Sequence, residues 1–184
     1  MNKIKAITPE AAADAAKASM ELVNKKLGRV PKMYQVMANS PAVLDAYVKF
    51  NGALSAGALG AKMAEMIALA TAEKNACSYC LSAHNFFGAK AGLSSEQIQN
   101  ARNFYSENEK LDHGLKFAKK LLDTPHQISN DDIEPLRNVG FSDGDILEII
   151  ANVVRNMLTN YINIVSNTEV DWPIIVKPSN SIAK

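Results

Sequence analysis

Residues 65–84 have the sequence EMIALATAEKNACSYCLSAH and contain both cysteines of the 184-residue chain, Cys77 and Cys80. Two cysteines in this spacing close only a very small loop, whereas a secreted disulfide scaffold uses its cysteines to join distant segments. A lone Cys-x-x-Cys pair is therefore typical of redox chemistry in a reducing compartment, and less often of half a metal site.

The cysteine segment is predicted to form a helix that begins after Asn75 and ends near Gly92. At about 100° per residue, Cys77, Cys80 and His84 stay within roughly 60° of one another on one face of this helix. With Asn75 as the N-cap, Cys77 is the second helical residue, where unpaired N–H groups and the helix dipole stabilise a thiolate. His84 is within reach of Cys80 as a proton acceptor or relay.

An acidic residue that can join this group, Glu65, lies in the preceding helix, which is predicted from Ala61 to about Lys74. Because the neighbouring positions are apolar, the Glu65 carboxylate needs a polar partner, and His84 is the candidate. Glu73 is closer to the cysteines along the chain but lies near the helix end, where it is predicted to be solvated.

These residues resemble a known active-site signature. Glu65, the Cys77-to-Cys80 motif and His84, at these spacings, are similar to the active site of the alkylhydroperoxidase D (AhpD)-like branch of the carboxymuconolactone decarboxylase superfamily. Weaker likeness extends to residues 29–31 and 39–41, and the run of predicted helices fits most of the chain.

The resemblance implies an all-α fold, an AhpD-like helical bundle that assembles as trimers or larger rings such as hexamers. It also implies a thiol-dependent peroxidase or disulfide oxidoreductase that reduces hydroperoxides. Cys80 matches the attacking thiolate, Cys77 matches the resolving cysteine, and Glu65 and His84 match the proton relay. Tyr79 stands where the best-known members have a second histidine, and packing is the role expected of it.

The residues themselves leave the order of the two cysteines open. The helix N-terminus favours a thiolate at Cys77, because the unpaired N–H groups lie there. The position of Cys80, one turn further along and beside His84, favours Cys80 as the attacking sulfur, in agreement with the resemblance.

Two other functions fit the same pattern. Cys77, Cys80, His84 and Glu65 include the residue types that ligate zinc, although three ligands within two turns of one helix make an awkward tetrahedron. The chain can also be a non-catalytic helical interaction protein, which the last helix suggests. No cofactor is expected, because no Rossmann or P-loop glycine pattern occurs, so electrons should come from a dithiol or protein-thiol reductant.

Helix signals also dominate the rest of the chain. Thr8 and Pro9 are predicted to open the first helix and Gly28 to end it. The other predicted helices cover residues 32–38, 40–57, 94 onward, 110–122, 129–140 and 142–167.

The last of these helices has two apolar stripes and is predicted to be buried on both sides, which favours a homo-oligomer. One stripe contains Ile146, Ile149, Ile150, Val153, Met157, Tyr161 and Ile164, and the other contains Leu147, Ala151, Val154, Leu158, Ile162 and Val165. The tail from about residue 169 is predicted to be extended. Residues 1–184 are predicted to form one all-helical domain.

Composition excludes several classes of partner. Twenty basic and 19 acidic residues give a net charge of +1, so no overall field attracts nucleic acid or a membrane surface. The N-terminal region has no apolar core typical of an export signal, and no apolar run is long enough to span a bilayer. These features predict a cytoplasmic protein.

Overall fold

The computed structural model describes residues 3–179, and these fold into helices with no β-strand. The α-helices are α1 (Asp14–Leu27), α2 (Lys32–Met37), α3 (Pro41–Ser55), α4 (Ala61–Lys74), α5 (Ser78–Lys90), α6 (Ser95–Arg102), α7 (Glu109–Asp123), α8 (Asn130–Asn138) and α9 (Asp143–Ser166). Short 3-10 helices occupy Pro9–Ala11 and Pro125–Gln127. The predicted all-α fold is confirmed.

Helix α4 lies at the centre and packs against α5, α6, α7 and α9. Every residue from Met66 to Ala72 is buried, as expected of a helix that is apolar on all sides. Burial of each large side chain in it contributes about 1.5–3 kcal/mol. Gly114 brings α7 close to α4, because a Cβ at this position would overlap the Met63 side chain. The central helix therefore gives a rigid base to the segment that follows it.

The start of the first helix differs from the prediction. Pro9–Ala11 form only a 3-10 turn, and α1 begins at Asp14 after extended backbone at Ala12 and Ala13. The Thr8 side chain makes no capping hydrogen bond. Ala12, in this extended link, is buried in the core. The predicted end at Gly28 is right, since this residue is the left-handed C-cap.

Within a single chain, helix α9 is buried on one face only. Burial of the other face by a second subunit stays a prediction. One face is buried, and beyond Val153 that face becomes polar, with Asn156, Asn160 and Asn163 inside. Several apolar side chains are exposed instead: Leu147, Val154, Leu158, Tyr161, Ile164 and Val165. The exposed positions include members of both predicted stripes, so an apolar surface runs along the outside of α9.

The segment after α9 runs without regular secondary structure over α5. Asp171 accepts hydrogen bonds from Arg29 Nη1 at 2.6 Å and from the Lys32 amide at 2.9 Å. The Val176 amide donates to Ser82 Oγ on α5 at 2.9 Å. These contacts hold the tail against the helix of the cysteines. Residues 180–184 of the predicted tail lie outside the described residues, and the assignment of residues 1–184 to one domain stays a prediction.

No helix within residues 3–179 combines the length and apolar character needed to cross a membrane.

Candidate active site

The connection between α4 and α5 differs from the predicted one by two residues. Asn75 is the C-cap of α4, Ala76 has a positive φ of 54°, and Cys77 is the N-cap of α5. Asn75 is therefore not the cap of α5, and its side-chain Nδ2 donates to Asn160 Oδ1 at 3.1 Å. Cys77 Sγ takes that role and accepts a hydrogen bond from the Cys80 amide at 3.2 Å. The helix N-terminus therefore acts directly on the Cys77 sulfur.

The two cysteines form a disulfide, with their Cα atoms 5.3 Å apart. This separation lies in the usual range for a disulfide. Both residues are 2% exposed. The structure is therefore that of the oxidised pair, at the start of α5.

Glu65 and His84 are brought together across α4 and α5. Glu65 Oε2 lies 2.8 Å from His84 Nδ1, and both side chains are 18% exposed. The polar partner expected for this carboxylate is therefore present. With Nδ1 bonded to Glu65, Nε2 is the ring nitrogen left to exchange a proton with a bound group.

A cavity of about 500 Å³ opens next to these residues. Cys80, Glu65 and His84 line it, whereas Cys77 is not among the residues of the described chain that do. Much of the remaining lining is apolar, including Leu27, Val48, Phe87 and Trp172. A cavity of this size suits a small organic molecule.

Helix α9 and the tail supply lining residues that the sequence did not single out. Asn163 Nδ2 donates to Cys80 Sγ at 3.4 Å, and Arg155 and Trp172 line the same cavity. The sequence contains a local pattern that could have drawn attention to Asn163 and Arg155. Arg155 is the one charged residue between Glu148 and Glu169, and asparagines recur at helical spacing around it. For Trp172 no local signal places it against α5.

Tyr79 has the packing role expected of it. Its ring lies edge-on to Trp172 with centroids 6.4 Å apart, and its hydroxyl accepts from the Met33 amide at 3.3 Å. Burial raises the pKa of Tyr79, and the Asp171 carboxylate raises it further. The phenol is therefore protonated at physiological pH.

Glu73 is not solvated, so this prediction is wrong. Its Oε2 lies 2.8 Å from Arg102 Nε, and its Oε1 accepts from the Ser179 amide at 2.6 Å. Arg102 also donates to the Lys177 carbonyl at 3.0 Å. The helix end that suggested solvation is covered by α6 and the tail, and Glu73 helps to hold that tail.

The described part of the chain contains no arrangement of side chains that would support a zinc site. Within residues 3–179, no group of three or more His, Cys, Asp or Glu side chains is placed to hold a metal ion. Of the other histidines, His126 is exposed and His113 is half-buried on α7.

The chain is similar to known proteins at the level of family and of fold. The carboxymuconolactone decarboxylase family model matches residues 41–120, which include both cysteines and the Glu65–His84 pair. Among curated proteins, none is similar enough to be matched.

Several solved structures have the same fold. One is the alkylhydroperoxidase AhpD core of an uncharacterized peroxidase-related protein from Ralstonia eutropha JMP134, with 26% identity, 92% of each chain covered and a TM-score of 0.81. An uncharacterized peroxidase-related protein from Silicibacter sp. TM1040 has 25% identity over 92% of this chain and 94% of its own, with a TM-score of 0.78. The debrominase Bmp8, solved with 2,3,4-tribromopyrrole, has 17% identity over 93% of this chain and 92% of its own, and its TM-score of 0.76 reflects the fold.

Proposed function

Because the chain belongs to the AhpD-like branch of the carboxymuconolactone decarboxylase superfamily, we propose that it is a thiol-dependent peroxidase. Its reduced cysteine pair reduces hydroperoxides and is regenerated by a dithiol or protein-thiol reductant. One observation carries the proposal. Cys80 lies in the wall of a cavity large enough for a small organic molecule, and the hydrogen-bonded pair Glu65 and His84 lines the same cavity.

The proposed reaction starts with deprotonation of the Cys80 thiol through His84, which Glu65 orients. The Cys80 thiolate attacks one peroxide oxygen, the O–O bond breaks, and the leaving alkoxide takes a proton to become an alcohol. Cys80 is now a sulfenic acid. The Cys77 thiol attacks its sulfur, water leaves and the disulfide forms. Two thiol groups of the reductant then reduce that disulfide and are themselves oxidised to a disulfide.

Asn163 is placed to assist the first step. Its Nδ2 group donates to Cys80 Sγ and favours the thiolate, because hydrogen bonding to the charged form stabilises that form. In the described part of the chain its Oδ1 atom is buried without a hydrogen-bond partner.

A peroxidase assay tests the proposal. The reduced protein is expected to consume hydroperoxide catalytically with at least one of several dithiol donors, dihydrolipoamide included. A protein that consumes no hydroperoxide with any donor, and reduces no disulfide, would be the interaction protein considered above.

One equivalent of hydroperoxide should convert the Cys77 and Cys80 thiols to the disulfide and modify no other residue. After reduction, both cysteines should be alkylated by iodoacetamide, and after one equivalent of hydroperoxide neither should be. Mass spectrometry of the intact protein should detect the loss of two hydrogens. Two alkylatable thiols after full turnover would contradict the resolving role of Cys77.

We further propose that the protein is a cytoplasmic homo-oligomer, a trimer or hexamer. The support is the exposed apolar stripe on α9, where the Leu147, Val154 and Val165 side chains lie on the surface of a single chain. An exposed apolar stripe of this kind is typical of an interface between subunits.

Light scattering should therefore give a mass of three or more chains at micromolar concentration. Val154→Lys introduces a charge into the stripe and should shift the mass towards one chain. Tyr105→Lys is the matched control, because Tyr105 is comparably exposed but lies outside α9. A monomeric wild-type protein would refute the proposed assembly.

A further inference from the structure

Arg155 is a buried cation without an anionic partner. It lies on α9 with 6% of its surface exposed, and its Nη1 donates to Asn51 Oδ1 at 3.1 Å. Within residues 3–179, no carboxylate lies within ion-pair distance of it. A buried charge is costly unless it is paired, so an unpaired guanidinium in a cavity wall indicates an anion supplied by a ligand.

The surroundings of Arg155 are suited to such an anion. Tyr34 and Tyr47 line the same cavity with their ring centroids 5.7 Å apart, and a hydrogen bond joins their two hydroxyl groups. Burial raises the pKa of both phenols, and the charge of Arg155 opposes that rise at each. Both phenols are therefore protonated at physiological pH, and the O–H group that the other phenol does not accept can donate to a bound anion.

The charged residues that line the cavity also favour an anion, because basic side chains outnumber acidic ones. Of the described residues that line it, Lys26, Lys49 and Arg155 are basic, and Glu65 is the acidic one. Glu65 is bonded to His84, and no ion-pair contact joins it to Arg155 in the described part of the chain. Lys49 is paired with Asp45, so Arg155 is the buried basic residue of a wall that is otherwise mostly apolar.

We propose that Arg155 binds the carboxylate of an organic hydroperoxide that has an apolar body. The peroxide part of this assignment rests on the proposed function. The planar guanidinium can hold a carboxylate with two parallel hydrogen bonds, and such pairs are stronger than neutral ones. With the carboxylate fixed there, the apolar body fills the cavity and the peroxide group lies towards Cys80. Arg155 then selects carboxylated over neutral hydroperoxides.

Binding can be measured without turnover, because Trp172 is the chain's one tryptophan and lines the cavity. Its fluorescence should report titration with 4-isopropylbenzoate and with its uncharged analogue 4-isopropylbenzamide. Wild-type protein should prefer the benzoate, and Arg155→Gln should weaken the benzoate by at least about tenfold while leaving the benzamide unchanged. Arg155→Lys keeps the positive charge but loses the planar guanidinium with its paired N–H donors, so its benzoate affinity should lie between those of wild type and Arg155→Gln.

Arg137→Gln is the matched control, because it removes an exposed arginine on α8 that does not line the cavity. It should bind both probes as wild-type protein does. Circular dichroism and thermal unfolding check that each variant is folded. If Arg155→Gln unfolds, the test rests on Arg155→Lys.

Benzoate affinity equal to wild type in Arg155→Lys would overturn the proposed two-bond contact between the guanidinium and the carboxylate. Equal affinity of the wild-type protein for benzoate and benzamide would overturn the anion site. Loss of the benzoate preference in Lys49→Gln but not in Arg155→Gln would assign the carboxylate to Lys49 and overturn the role of Arg155.

Turnover of cumene hydroperoxide and of its 4-carboxy derivative separates this inference from the proposed function. We expect Arg155→Gln to lower kcat/KM for the carboxylated peroxide and to spare the neutral one. Equal losses on both peroxides would mean that Arg155 acts on the Cys80 thiolate, and the carboxylate site would be wrong while the peroxidase stands. If neither peroxide is consumed but the benzoate still binds through Arg155, the peroxidase is wrong and the anion site stands.

Discussion

Cys80→Ser is expected to abolish hydroperoxide consumption, whereas Cys77→Ser should still allow one attack per subunit. The reason is position: Cys80 lines the cavity and is bonded to Asn163, whereas Cys77 caps the helix behind it. Stopped-flow measurement of peroxide loss in each reduced single mutant should give no reaction for the first and a stoichiometric burst for the second.

Dimedone labelling identifies the attacking sulfur in the same mutants. In Cys77→Ser, the sulfenic acid should be trapped at Cys80 and remain stable because no resolving thiol is present. The helix geometry argues in the other direction, since the Cys80 amide donates to Cys77 Sγ and favours a thiolate there. Label at Cys77 in Cys80→Ser, with none at Cys80 in Cys77→Ser, would reverse the assignment.

Glu65→Gln and His84→Gln should each lower kcat/KM by about a hundredfold or more near neutral pH, the usual contribution of a general base or relay. The 2.8 Å contact between the two residues means that loss of either disturbs the same proton path. The defect should shrink as pH rises towards about 8.5, where a free thiol ionises without help. Pre-steady-state rates of thiolate alkylation against pH should follow the same trend.

Glu73→Gln is the matched control for Glu65→Gln, because both are glutamates of α4. Glu73 binds Arg102 and the tail, so its loss should reduce thermal stability but leave the shape of the pH profile unchanged. A defect in Glu65→Gln that is equal at every pH would argue that Glu65 only supports the fold.

Most of the helices follow from local signals in the sequence. The bounds of α4 match the prediction, and the helices predicted to start at residues 94 and 142 do begin there, with Ser94 and Ser142 in capping boxes. Those signals depend on residues within one turn of each other, so tertiary structure changes them little. The two-residue shift at Asn75 shows the limit, because this residue ends α4 as its C-cap and its side chain contacts Asn160 of the distant helix α9.

The site divides in the same way. Glu65 and His84 lie on consecutive helices, so their spacing was enough to predict that they meet. Arg155, Asn163 and Trp172 join the cavity from segments that follow the cysteines by at least about 70 residues, and pairing over such separations depends on tertiary packing. The isolated charge of Arg155 and the asparagines that recur around it are signals in the sequence, but they do not say which helix these side chains meet.

The tail contact also has a consequence during synthesis. Val176 binds Ser82 although the two are 94 residues apart along the chain, and Trp172 beside it forms part of the cavity wall. At ribosomal rates of about 5–20 residues per second, the tail follows the cysteine segment by roughly 5–20 s. In that interval the cysteine segment exists without Trp172 and without Arg155 and Asn163 of α9. The cavity next to Cys80 is therefore completed only by the last part of the chain to be synthesised.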